Sequence, residues 1–280
     1  MTARIDAHQH YWDPARGDYG WLTPALGPLY RAYGPADLAP HLAAGGIAGT
    51  VLVQAAPTVA ETEWLLDLAG RTPGVLGVVG WIDFERPDAA ATLARLAARQ
   101  KLVGVRPMIQ DLPDDDWVQR RDLDPAFEAI IARGLVFDAL TFPRHLPALL
   151  ARLARHPDLK GVIDHGSKPA IRDGAFEDWA ALMRRVARQT RASVKLSGLV
   201  TEAAPDWSGA DLAPYVDLLL EAFGPQRILF GSDWPVCLLA STYARWLETV
   251  EQFLVHLTGQ ERGAIMGGNA ARLYGLGAKS

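Results

Sequence analysis

The chain alternates eight times between a short apolar run and a longer segment with helical spacing. The runs are Ala3 to His8, Thr50 to Gln54, Val75 to Ile82, Leu102 to Arg106, Leu135 to Leu140, Lys160 to Asp164, Ala192 to Leu196 and Ile228 to Gly231. Several are almost continuously apolar, as parallel strands covered on both faces must be. Between them, Glu61 to Ala69 puts Trp64, Leu65 and Leu68 on one helical face, and Asp88 to Arg99 does the same with Leu93, Leu96 and Ala97. Further helices are expected over Pro125–Ala132, Leu146–Arg155, Phe176–Gln189, Leu212–Phe223 and Tyr243–Leu257. Each parallel strand needs its own crossover. Eight strand–helix units with no Ser/Gly linker therefore predict an α/β chain, one (β/α)8 TIM-like barrel spanning residues 1–280. A doubly wound sheet is the alternative, but no Gly-rich phosphate turn follows the first strand.

Composition narrows the class of function. The 28 basic and 32 acidic residues give a net charge of −4 with no basic block, so nucleic acid is not an expected partner. The longest apolar stretches, such as Val51 to Val53 with Ala55 and Ala56, fall well short of a membrane span. The N-terminus lacks the basic and apolar regions of a secretory signal. Cys237 is the only cysteine, so no internal disulfide forms. A cytoplasmic protein is the expectation.

Two connections are unusually long. Residues 11–40, rich in Pro, Gly, Tyr and Trp, follow the first strand, and residues 110–123 follow the fourth. Long loops in compact domains are often lids or binding loops. The run Asp114-Asp115-Asp116 reads as a solvated turn rather than a ligand cluster.

In a barrel of this kind the reacting groups stand at the C-terminal ends of strands. His8 and His10 end the first run, Gln54 the second, Trp81 and Asp83 the third, and Arg106 the fourth. Asp138 ends the fifth, Asp164 and His165 the sixth, Lys195 and Ser197 the seventh, and Asp233 the eighth. Side chains at i and i+2 of a strand share a face, so His8 and His10 can grip one ion together. The other reading of a His-x-His pair is a solvated coincidence. His41, His145, His156 and His256 fall in loops or helical segments and are expected to be structural or surface residues.

In these residues the chain resembles the amidohydrolase superfamily, in the metal-dependent hydrolase branch that contains sugar-lactone hydrolases. The resemblance covers essentially the whole chain. It is carried by Asp6-Ala7-His8-Gln9-His10, Gly104-Val105-Arg106-Pro107, Val162-Ile163-Asp164-His165, Val194-Lys195-Leu196-Ser197-Gly198 and Gly231-Ser232-Asp233-Trp234-Pro235. The run from Arg106 to Asp111, with Gly80-Trp81-Ile82-Asp83, pulls it towards the aldonolactone hydrolases. The resemblance implies that His8, His10, His165 and Asp233 surround one divalent ion, zinc in the preferred reading. Binuclear members use a bridging lysine or glutamate at the fourth strand and a histidine at the fifth. Arg106 and Asp138 stand there in this chain, which argues for one ion. Members that open pyrone lactones without metal leave a second route, with the histidines donating to the carbonyl.

The implied reaction is opening of a sugar-acid lactone. It needs an activated water, a polarised carbonyl and a proton for the leaving oxygen. Asp233 is expected to take and return that proton, with His165 as the other catalytic group. An arginine at a buried strand end must be paired or touch substrate, and Arg106 is expected to touch it. Gln54, Trp12, Trp81 and Trp234 are candidate hydroxyl-binding and stacking walls, although each aromatic also suits core packing. Asp138 is expected either to accept from a sugar hydroxyl or to orient Arg106, and Lys195 to pair with Asp164 or Asp138. The alternatives are a metal-dependent decarboxylase of unsaturated or aromatic acids, a metal-free pyrone-lactone hydrolase, and a non-catalytic sugar-binding protein on the same scaffold.

Overall fold

A computed structural model describes residues 3–277. Eight strands form one sheet in the order β1 to β8, each parallel to the next. They are β1 (Ile5–Gln9), β2 (Gly49–Val53), β3 (Val75–Gly80), β4 (Leu102–Val105), β5 (Val136–Ala139), β6 (Lys160–Ile163), β7 (Ser193–Leu196) and β8 (Ile228–Phe230). Every expected run became a strand, with its ends shifted by no more than two residues. The sheet closes through the chain just past β8: Asp233 N–H donates to the His8 carbonyl at 2.8 Å, and His10 N–H to the Trp234 carbonyl at 2.7 Å. This is the (β/α)8 barrel.

Alternation along the strands separates two cores. One set, including Ile5, Ala7, Val51, Val53, Val79, Val103, Val136, Val162 and Leu229, packs together with Ala270 and Tyr274. The other set, including Leu52, Val78, Leu102, Phe137, Ile163, Val194 and Phe230, packs in the larger core with helical residues such as Leu65, Leu93, Phe127 and Leu149. The helices lie where the periodicity put them, at Val59–Gly70, Ala89–Ala97, Asp124–Ala132, Leu146–Arg155, Glu177–Gln189, Gly209–Phe223 and Tyr243–Phe253. Among the described residues no helix is long and apolar enough to cross a membrane.

Two parts were not foreseen. A helix, Pro35–Gly45, begins inside the first long connection. Pro40 within it lacks an N–H and masks the pattern. The rest of that connection is tied back on itself, because Trp12 and Tyr33 exchange backbone hydrogen bonds of 3.1 and 2.9 Å. The second is the C-terminal segment ending in the helix Asn269–Tyr274, which packs Ala270 and Tyr274 against the barrel-lining residues.

Candidate active site

Strand β1 brings two imidazoles together. Its register slips by one residue against β2 between Asp6 and Gln9, a bulge of the kind that re-aims side chains at barrel rims. His8 and His10 end with ring centroids 4.9 Å apart and Nε2 atoms 3.2 Å apart. The Asp6 carboxylate accepts from His8 N–H at 3.1 Å and Ser232 N–H at 2.9 Å, which couples β1 to the chain that carries Asp233.

His165 and Asp233 are delivered by strained backbone. His165, Gly166, Ser167 and Lys168 all have positive φ, between 48° and 63°, and Asp233 has φ 56°. This conformation costs a non-glycine L-residue about 1–2 kcal/mol. Such strain persists where the surroundings dictate it, and it clusters at functional sites. Gly198, at φ 63°, cannot be replaced: a Cβ there would lie 2.4 Å from His165 Nδ1.

The four side chains converge. Asp233 Oδ1 lies 3.3 Å from His10 Nε2, 3.7 Å from His8 Nε2 and 3.8 Å from His165 Nε2. All four residues are buried. Burial holds His8 and His10 below the ordinary imidazole value and brings His165 down to about 4, so the rings are neutral at pH 7. Burial works against ionising Asp233, but the imidazoles packed around it, His165 foremost, outweigh it and hold the carboxyl below the usual aspartate range.

One contact decides whether a cation fits. His10 Nδ1 is 2.8 Å from the Val53 carbonyl, which only accepts, so the ring proton sits on Nδ1. Nε2 then turns a lone pair towards the carboxylate of Asp233. His165 also has a partner on its far ring nitrogen, with Nδ1 2.8 Å from Ser197 Oγ. Such bracing on the far ring nitrogen accompanies metal-ligating histidines. Donor atoms of His8, His165 and Asp233 all lie within 4.8 Å of one another, and His10 reaches two of these groups. His10 Nε2 and Asp233 Oδ1, 3.3 Å apart, therefore face each other as two acceptors, an arrangement that a positive charge between them relieves, and the set has the composition of a hydrolytic metal site. The donor set therefore fits one divalent ion.

Beneath it lies a chain of buried charges. Lys195 Nζ is 2.5 Å from Asp138 Oδ2, 3.0 Å from Asp164 Oδ1 and 3.0 Å from His8 Nδ1. Tyr274 O–H donates to Asp138 Oδ2 at 2.8 Å. Arg106 places Nη1 3.4 Å from both Asp164 Oδ2 and His8 Nε2, and its Nη2 donates to the Gln54 carbonyl. Gln54 Nε2 returns a 2.7 Å bond to the Arg106 carbonyl. Among the described residues, the buried Arg106 Nε has no partner.

Above the convergence opens a cavity of about 290 Å³. His10, His165, Asp233 and Arg106 line it, and Trp12 forms part of its wall. Four sequence expectations are corrected. Trp81 lies outside, half-buried beside Val59, Asp83 and Arg86, because its backbone is pinned to Thr62 Oγ1 on the neighbouring helix. Gln54 spends its amide on Arg106 and does not reach the cavity. Asp138 is fully buried on Lys195 and Tyr274, beyond the reach of a substrate and not paired with Arg106. Trp234 packs edge-on against Tyr33 and Tyr11 in the core. Of the remaining histidines, His41 stacks on Tyr243 and His145 Nδ1 accepts from Phe142 N–H at 2.9 Å, both structural roles. Cavity residues not foreseen include Trp21, Gln110, Lys168, Glu202, Val236 and Leu239. They stand on loops or in the short helical turns Ile109–Asp111, Leu199–Glu202 and Val236–Leu239, too short for periodicity to mark them. Lying just past a strand end was the only available signal.

The comparisons agree with this geometry. A family model described as amidohydrolase matches residues 5–276. The chain is 47% identical over 278 residues to an L-fucono-1,5-lactonase of Burkholderia ambifaria, covering 98% of this chain and 96% of the relative. It is 40% identical over 287 residues to an L-fucono-1,5-lactonase of Burkholderia multivorans, covering 98% and 96%. A crystal structure of an amidohydrolase from Burkholderia multivorans with bound zinc superposes with a TM-score of 0.91 at 40% identity, over 98% of this chain and 99% of that one. A barrel closed on converging histidines and an aspartate, matched nearly end to end by the family model, makes this chain a member of the amidohydrolase family.

Proposed function

We propose that the chain is a lactonase that opens L-fucono-1,5-lactone or a closely related aldonolactone to its open-chain sugar acid. The observation that carries this reading is Asp233, ionised among three neutral imidazoles at the floor of a cavity, in a chain 47% identical to a lactonase. His8, His10, His165 and Asp233 would hold one divalent ion, and zinc is our choice because a relative's structure carries it. When bound, the ion supplies Lewis-acid stabilisation of the charge that develops on the carbonyl oxygen.

The chain's own groups do the rest. Asp233 Oδ1 takes a proton from the attacking water as its oxygen bonds to the carbonyl carbon. It then gives that proton to the ring oxygen as the carbon–oxygen bond of the ring breaks, so one water is consumed and one hydroxy acid forms. Arg106, which lines the cavity, binds the carbonyl or a neighbouring hydroxyl. Trp12 and Trp21 form an apolar wall for the sugar face. Removal of a sugar lactone suits carbohydrate catabolism, and a reducing cytoplasm suits the single, buried and unpaired Cys237.

The test is a panel of aldono-1,4- and 1,5-lactones followed with a pH indicator, with background hydrolysis subtracted, run with added zinc and with chelator. Turnover of L-fucono-1,5-lactone above the other lactones is expected. No turnover of any lactone, together with carbon dioxide release from an aromatic acid, would replace the lactonase with a decarboxylase.

A further inference from the structure

Barrel closure gives the cavity two unlike halves. The loops after β8, β1 and β2, which are contiguous around the barrel, contribute Val236, Leu239, Trp12, Trp21, Leu26 and Ala55. The loops after β4, β6 and β7 contribute Gln110, Lys168 and Glu202. One half is apolar, and the other carries most of the cavity's hydrogen-bonding capacity outside the four converging residues.

That capacity is unused. Lys168 and Glu202 are both half-buried, yet among the described residues neither side chain makes a hydrogen bond or closes an ion pair. The Lys168 amine lies 5.6 Å from the centroid of the Phe142 ring. Burial pushes the Glu202 carboxyl up from its ordinary value. Gln110 Oε1 is buried and, among the described residues, has no partner. Desolvating charges without compensation is costly, so their retention at a cavity wall calls for a ligand that completes them. Their placement is also expensive in backbone terms, since Lys168 ends the left-handed turn that begins at His165. The turn that aims the imidazole therefore also aims the amine.

We infer that Lys168 and Glu202 form a hydroxyl-recognising pair that selects polyhydroxylated lactones and turns the sugar's methyl-bearing edge towards the Val236–Trp21 wall. This rests on the lactonase reading. Adjacent sugar hydroxyls each donate and accept, so one can donate to Glu202 while another accepts from Lys168. A site built to bond hydroxyls discriminates strongly against analogues that lack them, because its polar groups are then left unpaired.

The experiment compares L-fucono-1,5-lactone with δ-hexanolactone, which keeps the six-membered lactone and its methyl group but has no ring hydroxyls. In Glu202→Gln and Lys168→Met, kcat/KM for the hydroxylated lactone should fall about 10- to 100-fold, mainly through KM, as expected for loss of a hydrogen bond to a charged group. The loss on δ-hexanolactone should be smaller by about tenfold or more, so the preference for the hydroxylated substrate collapses. Equal losses on both lactones, or no loss on either, would overturn the inference. Calorimetry with L-fuconate reads the same pair without turnover. If the wild type hydrolyses neither lactone, the lactonase reading fails by itself. L-fuconate binding that the variants lose would then uphold the hydroxyl grip, and binding that is absent from the wild type or equal in the variants would overturn it.

Discussion

Lys195 Nζ lies 3.0 Å from Asp164 Oδ1 in the sealed interior of the barrel, with both side chains fully buried. Asp138 holds the same amine from the other side, and its carboxyl is pushed up to about 6 by burial against the pull of Lys195. A buried charge set of this kind is tolerable only when complete. Lys195→Met should therefore destabilise the fold by about 3–5 kcal/mol in chemical denaturation, because it strands two carboxylates. Adding Asp138→Asn should recover part of that loss. Independent, additive effects of the two substitutions would show that the network is not coupled.

Asp233→Asn keeps the shape of the side chain and removes its basicity. The expected result is a drop in kcat of about 10² to 10⁴ with the melting temperature nearly unchanged. Turnover close to wild type would remove Asp233 from proton transfer.

Elemental analysis of protein purified without chelator should give about one divalent ion per chain, as a mononuclear site requires. His165→Ala should bind less than the wild type, and chelation should lower both activity and melting temperature because the ion binds only the folded chain. Two ions per chain, or full activity in chelator, would defeat the single-ion site.

Arg106 touches Asp164, His8 and the Gln54 carbonyl, yet also faces the cavity. Arg106→Lys keeps the charge and loses the planar fork, so kcat/KM should fall about tenfold or more and the melting temperature should drop modestly. A purely structural arginine would show the melting shift with unchanged kinetics.

Glu61 gives a pH signature away from the chemistry. Its carboxylate, closed off from solvent, accepts from Ala55 N–H at 3.0 Å and Ala56 N–H at 2.7 Å, and burial raises it from 4.5 to about 7. The folded state thus holds a proton that the unfolded state has already released. The stabilisation is complete below pH 4.5 and is lost as pH climbs through about 7. Glu61 by itself removes about 1–3 kcal/mol of stability over that window, while the lowered histidines act in the opposite sense, so the readout is the difference between the two profiles: Glu61→Gln should lack this contribution. Equal slopes in the two proteins would show that Glu61 titrates normally.

The sequence by itself determined the eight strands, seven of the helices between them, and which polar groups stand at the strand ends. Those are local properties: periodicity and residue type act over a few neighbours. The grouping of His8, His10, His165 and Asp233 was legible for the same reason, once barrel closure put all the strand ends in one ring. Which way a side chain turns just past a strand was decided by tertiary structure. Trp81 turned away because Thr62 captures its backbone, and Gln54 and Asp138 were taken up by Arg106 and Lys195. Lys168 reached the cavity only through a left-handed turn that no propensity favours, and Tyr274 reached Asp138 from across the barrel. Such outcomes depend on partners far away in the chain, and a buried charge is assigned to protein or to substrate only when those partners are in place.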